Sequence, residues 1–251
     1  MYVDSHAADA ELERLRARFA DIEQHIADAC RQSGREPASV RLLPVSKTVP
    51  AERLALVRRL GYRWFGENKM QEAQDKAQAL AGLDIAWCII GHLQSNKARH
   101  VARFASELHS LDNLKTAREL DRRLQAEGRG LRVLIQVNTS GEAQKSGLAP
   151  EALPAFVREL PALASLRVAG LMTLAKNSPD AAVVTGCFRL LRECQERLRQ
   201  EAPDGLAFDE LSMGMSGDFP LAIAQGATIV RVGQALFGAR PSHASATGTT
   251  P

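Results

Sequence analysis

No apolar run in this chain approaches the ~20 residues that a membrane span needs. Its first nine residues, Met1 to Asp9, lack a basic segment followed by an apolar one, so they do not read as a signal peptide. Cysteine is present only at positions 30, 88, 187 and 194, with no C-x-x-C pair, and the expectation is reduced thiols in the cytoplasm, without disulfides or zinc. No G-x-S-x-G elbow or G-x-x-x-x-G-K-[ST] loop occurs. Charge blocks are missing as well. The net charge is +3, with both signs interleaved, and Arg59, Arg63, Arg99, Arg103, Arg122 and Arg123 fall in separate expected helices or turns. These are solvated helix faces rather than a nucleic-acid footprint.

What is present is length and a regular pattern. With 251 residues, 45% of them hydrophobic, the chain suits one large barrel or two small domains. Residues 10 to 31 carry Leu12, Leu15, Phe19, Ile22, Ile26 and Cys30 at helical spacing. An apolar run then leads to Ser46, Lys47 and Thr48, and Pro50 opens the next helix. Strands are expected at 40–46, 63–66, 85–90, 107–111, 132–138, 167–173, 207–213 and 228–232. Helices are expected between them at 51–60, 68–80, 95–104, 113–127, 150–160, 180–201 and 217–225, with a last short one near Gly233.

Strands alternating with helices imply a parallel sheet. An open doubly wound sheet usually has a glycine-rich turn after its first strand. Here that turn is Ser46-Lys47-Thr48-Val49-Pro50. The fold expected is therefore α/β, a single (β/α)8 barrel, with an extra N-terminal helix outside the eight units and over the barrel's lower end. Residues 1–9 are expected to be flexible, 10–240 to form the barrel, and 241–251 to be a disordered tail.

In such barrels the chemistry sits at the C-terminal ends of the strands. Lys47 ends the first strand, with Leu43 and Val45 on its face. An amine desolvated there becomes a nucleophile toward aldehydes; the alternative is a lysine reaching into water. Arg231 interrupts the run Thr228-Ile229-Val230-Val232 and needs a partner, either a carboxylate such as Glu67 or Glu210 or a ligand atom. Ser212-Met213-Gly214-Met215-Ser216 and Gly233 precede helix starts, where backbone N–H groups can cradle a phosphate; ordinary helix caps would look the same. An amine, a cation and a phosphate cradle on one rim together suit a phosphorylated aldehyde. His100 and His109 lack metal-ligand spacing to each other or to a cysteine, and no metal site is expected.

Val45-Ser46-Lys47-Thr48, Phe65-Gly66-Glu67-Asn68 and Ile90-Gly91-His92-Leu93-Gln94-Ser95-Asn96-Lys97 carry a family resemblance. So do Val137 to Glu142 with Lys145-Ser146-Gly147, Gly170 to Thr173, Leu211 to Ser216, Arg231-Val232-Gly233 and Phe237 to Arg240. In this order they resemble the YggS/PROSC family of pyridoxal phosphate (PLP) homeostasis proteins over roughly residues 10 to 240. The resemblance implies a barrel similar to the alanine racemase N-terminal domain, with PLP as a Schiff base on Lys47 and Arg231 facing the pyridine nitrogen. It further implies Ser212, Ser216, Gly233 and the backbone around Met213 on the phosphate, with Asn68 and His92 near the ring or its entrance. Cys88 stands where the family often has histidine, and a strand-interior position makes it a packing residue.

The implied role is a PLP carrier in vitamin B6, amino-acid and keto-acid balance, not an enzyme, with PLP-dependent apo-enzymes as recipients; a monomer is expected, since a small barrel buries its own core. The runner-up is a weak PLP-dependent racemase or lyase using Lys47 alone or with His92. A PLP-free barrel binding another phosphate ester is the third. The chain ends soon after the last strand and its two tyrosines, Tyr2 and Tyr62, lie off the expected rim, which disfavours a racemase with a tyrosine base. Lys97 and Lys145 are rim lysines that offer secondary attachment points.

Overall fold

The apolar runs of this chain are short and bounded by glycine, asparagine or charged residues, so each suits a strand better than a helix. A computed structural model describes residues 5–142 and 144–238. The strands are β1 (Arg41–Pro44), β2 (Trp64–Glu67), β3 (Ala86–Ile89), β4 (Ala105–Leu111), β5 (Leu131–Gln136), β6 (Leu166–Met172), β7 (Glu210–Ser212) and β8 (Ile229–Val232). All pairs are parallel, in the order β1-β8-β7-β6-β5-β4-β3-β2. The two ends of that order meet. A parallel bridge joins Val45 to Gly66, and the Ser46 N–H donates to the Gly66 carbonyl at 2.9 Å. The sheet therefore closes as a barrel.

The helices are α1 (Ser5–Gln32), α2 (Ala51–Arg59), α3 (Met70–Ala79), α4 (Ala98–Phe104), α5 (Leu114–Ala126), α6 (Leu153–Arg158), α7 (Ala181–Glu201), α8 (Phe219–Ala224) and α9 (Gln234–Phe237). Between strands and helices lies the larger apolar layer, which includes Leu54, Phe65, Leu120 and Phe188. A smaller cluster of Leu43, Cys88, Leu134, Ala169, Met172 and Ile229 fills the barrel. Its lower end carries charges instead: Arg41 packs over Trp64 at 4.6 Å and pairs with Glu107, and Arg132 pairs with Glu210.

One expectation is corrected here. The N-terminal helix does not cover the lower end. Its stripe of Leu15, Phe19, Ile22 and Ile26 packs along the outer wall against α8, α9 and α2. Phe19 meets Tyr62 at 4.4 Å and Phe237 at 5.9 Å between ring centres, and Glu11 pairs with Arg53 at 2.6 Å. A continuous apolar stripe needs an apolar groove, which the flank offers and the charged lower end does not. That helix begins at Ser5. Residues 1–4 and the tail 241–251 lie outside the described residues.

Candidate cofactor site

β1 alternates its side chains, and Arg41 and Leu43 face the barrel interior. Past Val45 the chain turns sharply, with Thr48 at φ +64°. The turn leaves Lys47 half-buried on the wall of a cavity of about 530 Å³. Val45, Arg53, Gly233, Gln234 and Phe237 share that wall. The carboxylates of the neighbouring unit, Glu67 and Glu72, pair with Lys76 rather than with Lys47. A Cβ on Gly233 would come within 3.1 Å of the Val45 carbonyl, a tight approach between two residues of this wall.

Arg231 lies deeper and is 3% exposed. Its register with Leu43 places it on the inward face. Its Nη1 donates to Ser212 Oγ and its Nη2 to the Thr173 carbonyl, both at 2.8 Å. The expected carboxylate partners are corrected: Glu67 pairs with Lys76 at 2.7 Å, and Glu210 with Arg132 at 2.7 Å. Glu67 follows Phe65 at strand spacing and so faces the helices, away from Arg231. Burial lowers the Arg231 pKa to about 10, opposed by the Asp218 charge, and the guanidinium stays protonated at neutral pH.

A polar chain continues from Arg231 through the barrel. His109 Nδ1 lies 3.0 Å from Ser212 Oγ, and His109 Nε2 lies 3.0 Å from Glu107 Oε2. Arginine only donates, so the Ser212 hydroxyl accepts from Arg231 and donates to neutral His109, whose Nε2–H donates to Glu107. Burial lowers the His109 pKa, and the Glu107 charge opposes the shift. Burial pushes the Glu107 carboxyl up, but His109 and Arg41 together outweigh it and hold it at about 2. Burial, aided by Glu107, pushes the Cys88 thiol well up. The ligand-type atoms of Cys88, Glu107 and His109 lie within 4.8 Å of one another, a proximity that their spacing in the sequence does not show. Glu107 and His109 are already bonded to each other, and Arg41 holds the carboxylate.

The other expected site residues divide. Ser216 is half-buried in the turn before α8. The Ser212 hydroxyl, at the end of β7, is fully buried between Arg231 and His109. The Met213 N–H donates to the Ile229 carbonyl at 3.1 Å, so it is spent within the barrel wall. Gly214, at φ +91°, lets the chain drop onto α8; a Cβ there would sit 2.7 Å from the Ala222 Cβ. Asn68 and His92 line a second cavity of about 420 Å³ with Lys97 and His100. His92 Nδ1 stands 3.6 Å from Asp112 there. Lys145 is engaged by Glu142 at 2.6 Å and the Ala175 carbonyl at 3.1 Å.

Two sets of residues were not expected at the site. Arg53 and Phe237 line the Lys47 cavity, and their signal was position: each lies within the first turns of a helix that leaves the rim. His109 and Glu107 signalled themselves by alternation in Glu107-Leu108-His109, which puts both on one strand face.

This (β/α)8 barrel, with a lysine in the turn after its first strand and a buried arginine on its eighth, is of the class of the alanine racemase N-terminal domain, whose family model matches residues 10–241. Within it, the pyridoxal phosphate homeostasis protein of Pseudomonas aeruginosa is 44% identical over 91% of this chain and 96% of that protein. That of Vibrio cholerae is 42% identical over 90% and 96%. PipY of Synechococcus elongatus, solved with PLP bound, superposes with a TM-score of 0.76 at 39% identity, covering 85% of this chain and all of that one. Alanine racemase of Streptomyces lavendulae, at 18% identity and TM-score 0.68, covers 92% of this chain and 58% of that chain and shares the fold. The chain belongs to the family of pyridoxal phosphate homeostasis proteins.

Proposed function

We propose that this protein binds pyridoxal 5'-phosphate covalently through Lys47 and acts as a carrier in PLP and vitamin B6 homeostasis rather than as a conventional enzyme. The observation that carries the reading is Lys47 itself: half-buried, its neighbouring carboxylates taken by Lys76, and on the wall of an open cavity. When bound, the cofactor supplies an aldehyde carbon to which an amine nitrogen bonds with loss of one water. Arg231, charged and fixed by two hydrogen bonds, faces the pyridine nitrogen and keeps it unprotonated. Ser216, Gly233 and the N–H groups opening α9 hold the phosphate. Ser212 contributes through Arg231 rather than by touching the ligand. Asn68 and His92 stand at the entrance rather than on the ring.

The carrier role is supported by the cavity wall. Among the described residues lining it there is no histidine, tyrosine or carboxylate to serve as a second acid or base. Tyr62 lies on the outer wall, bonded to Glu23. Residues 10–240 form the PLP-binding unit, which works as a monomer in the cytoplasm and passes PLP to apo-enzymes. Four free, buried thiols agree with a reducing compartment, and no helix among the described residues is long and apolar enough to cross a membrane.

The test is a visible spectrum after PLP is added and the excess removed, for wild type beside Lys47→Ala. Wild type is expected to hold a visible band that borohydride fixes on the Lys47 peptide, and Lys47→Ala to hold none. A colourless wild type, or label on Lys97 or Lys145, overturns the reading. Amino acids added to the same sample leave a carrier's spectrum unchanged over time, whereas an enzyme would turn over.

A further inference from the structure

Lys47 is bracketed by two residues that the adjoining βα unit grips. The Ser46 hydroxyl donates to Glu67 Oε1 at 2.6 Å, and the Ser46 carbonyl accepts from Lys76 Nζ at 2.6 Å. On the other side, the Thr48 N–H donates to Glu72 Oε1. Lys76 ties these partners together, donating to Glu67 Oε1 and Glu72 Oε1 at 2.7 Å each. An ammonium has three N–H bonds, and all three are used. Glu67 is fully buried and Lys76 is 7% exposed.

Such a cluster is a costly way to hold a barrel together. A buried ion pair contributes little net stability, because desolvation offsets its attraction. Here Glu67 Oε2 is also buried without a hydrogen-bond partner among the described residues. Thr48 adds to the cost: its φ of +64° is a left-handed conformation that a β-branched residue avoids. Strain of this kind persists only where surrounding contacts over-determine it, and it gathers at functional sites. The contacts that over-determine it here are those of Glu72 and Lys76.

We propose that Glu67, Glu72 and Lys76 form a clamp that positions the Ser46-Lys47-Thr48 turn, so that the Lys47 amine is presented to the cofactor cavity in one orientation. Lys76 is a positioning residue; with every N–H committed, it does not compete for the aldehyde. This rests on Lys47 as the attachment point.

The experiment mixes apo-protein with PLP and follows the rate at which the visible band appears, with thermal unfolding measured on the same samples. Lys76→Met is expected to slow the band about tenfold or more, as lost orientation would. Thr48→Gly takes the left-handed conformation without strain, so on that background Lys76→Met is expected to cost only about twofold. Glu72→Gln, at a more exposed position, gives the same pattern should Lys76→Met fail to fold. A lower melting temperature with a wild-type rate overturns the clamp, as does an equal rate loss in both backgrounds. No band in wild type overturns the cofactor reading and the clamp with it, whereas a normal wild-type band with unaltered variants overturns the clamp alone.

Discussion

At the level of single residues, Arg231 bears the most consequence. It is buried, and it satisfies Ser212 Oγ and the Thr173 carbonyl with two arms of one planar group. Arg231→Ala strands both partners and opens a cavity, so urea unfolding is expected to show a loss of about 2–4 kcal/mol. Arg231→Lys keeps the charge but not the fork, and is expected to release PLP faster while unfolding closer to wild type. The pair Glu107 and His109 makes stability depend on pH. Glu107 is depressed to about 2 from 4.5, so its contribution is present above 4.5 and lost as pH falls toward 2. His109 is depressed below 6.5, so the folded form favours the neutral ring, and its contribution is lost as pH falls below 6.5. Glu67, raised by burial, acts in the opposite sense near 4.5. Comparing variants separates these effects: melting temperature measured from pH 7.5 down to 5 should fall less steeply in His109→Gln than in wild type.

Elements were the most legible level, because each depends mainly on near neighbours in sequence. All eight strands and the long helix α7 fall where their periodicity puts them. The departures are local and have local causes. The helix expected at 150–160 breaks into 3-10 turns around α6, with Pro150 and Pro154 within it and Pro161 just after. The strand expected at 207–213 shrinks to Glu210–Ser212, because the Phe208 carbonyl is taken by the Gln195 and Arg199 side chains. Loop contacts were less visible. A Cβ on Gly91 would run into the Asn68 carbonyl, an approach between the loops after β3 and β2 that neither loop announces. Gly91→Ala is therefore expected to displace the Asn68 loop and lower stability by more than about 1 kcal/mol, read by thermal unfolding.

For the molecule as a whole, α1 has a part that its place before the first strand conceals. It braces α9 through Phe19 and Phe237, and its Glu11 holds Arg53; Phe237 and Arg53 both line the Lys47 cavity. Phe19→Ala is expected to cost about 3–5 kcal/mol in denaturant unfolding. It should also shorten PLP retention in the folded protein, which a helix serving only as an outer cover would not do.

By itself the sequence determined the eight strand–helix units, the lysine just after the first strand and the arginine inside the eighth. These follow from side-chain alternation and strand ends, which are properties of adjacent residues. Only the tertiary structure decided what those residues touch. Closing the barrel brings positions 107, 109, 212 and 231 into one hydrogen-bonded chain and sets Lys76 behind the turn of Lys47. Partners on different strands are chosen by register and closure, which no stretch of neighbouring residues encodes.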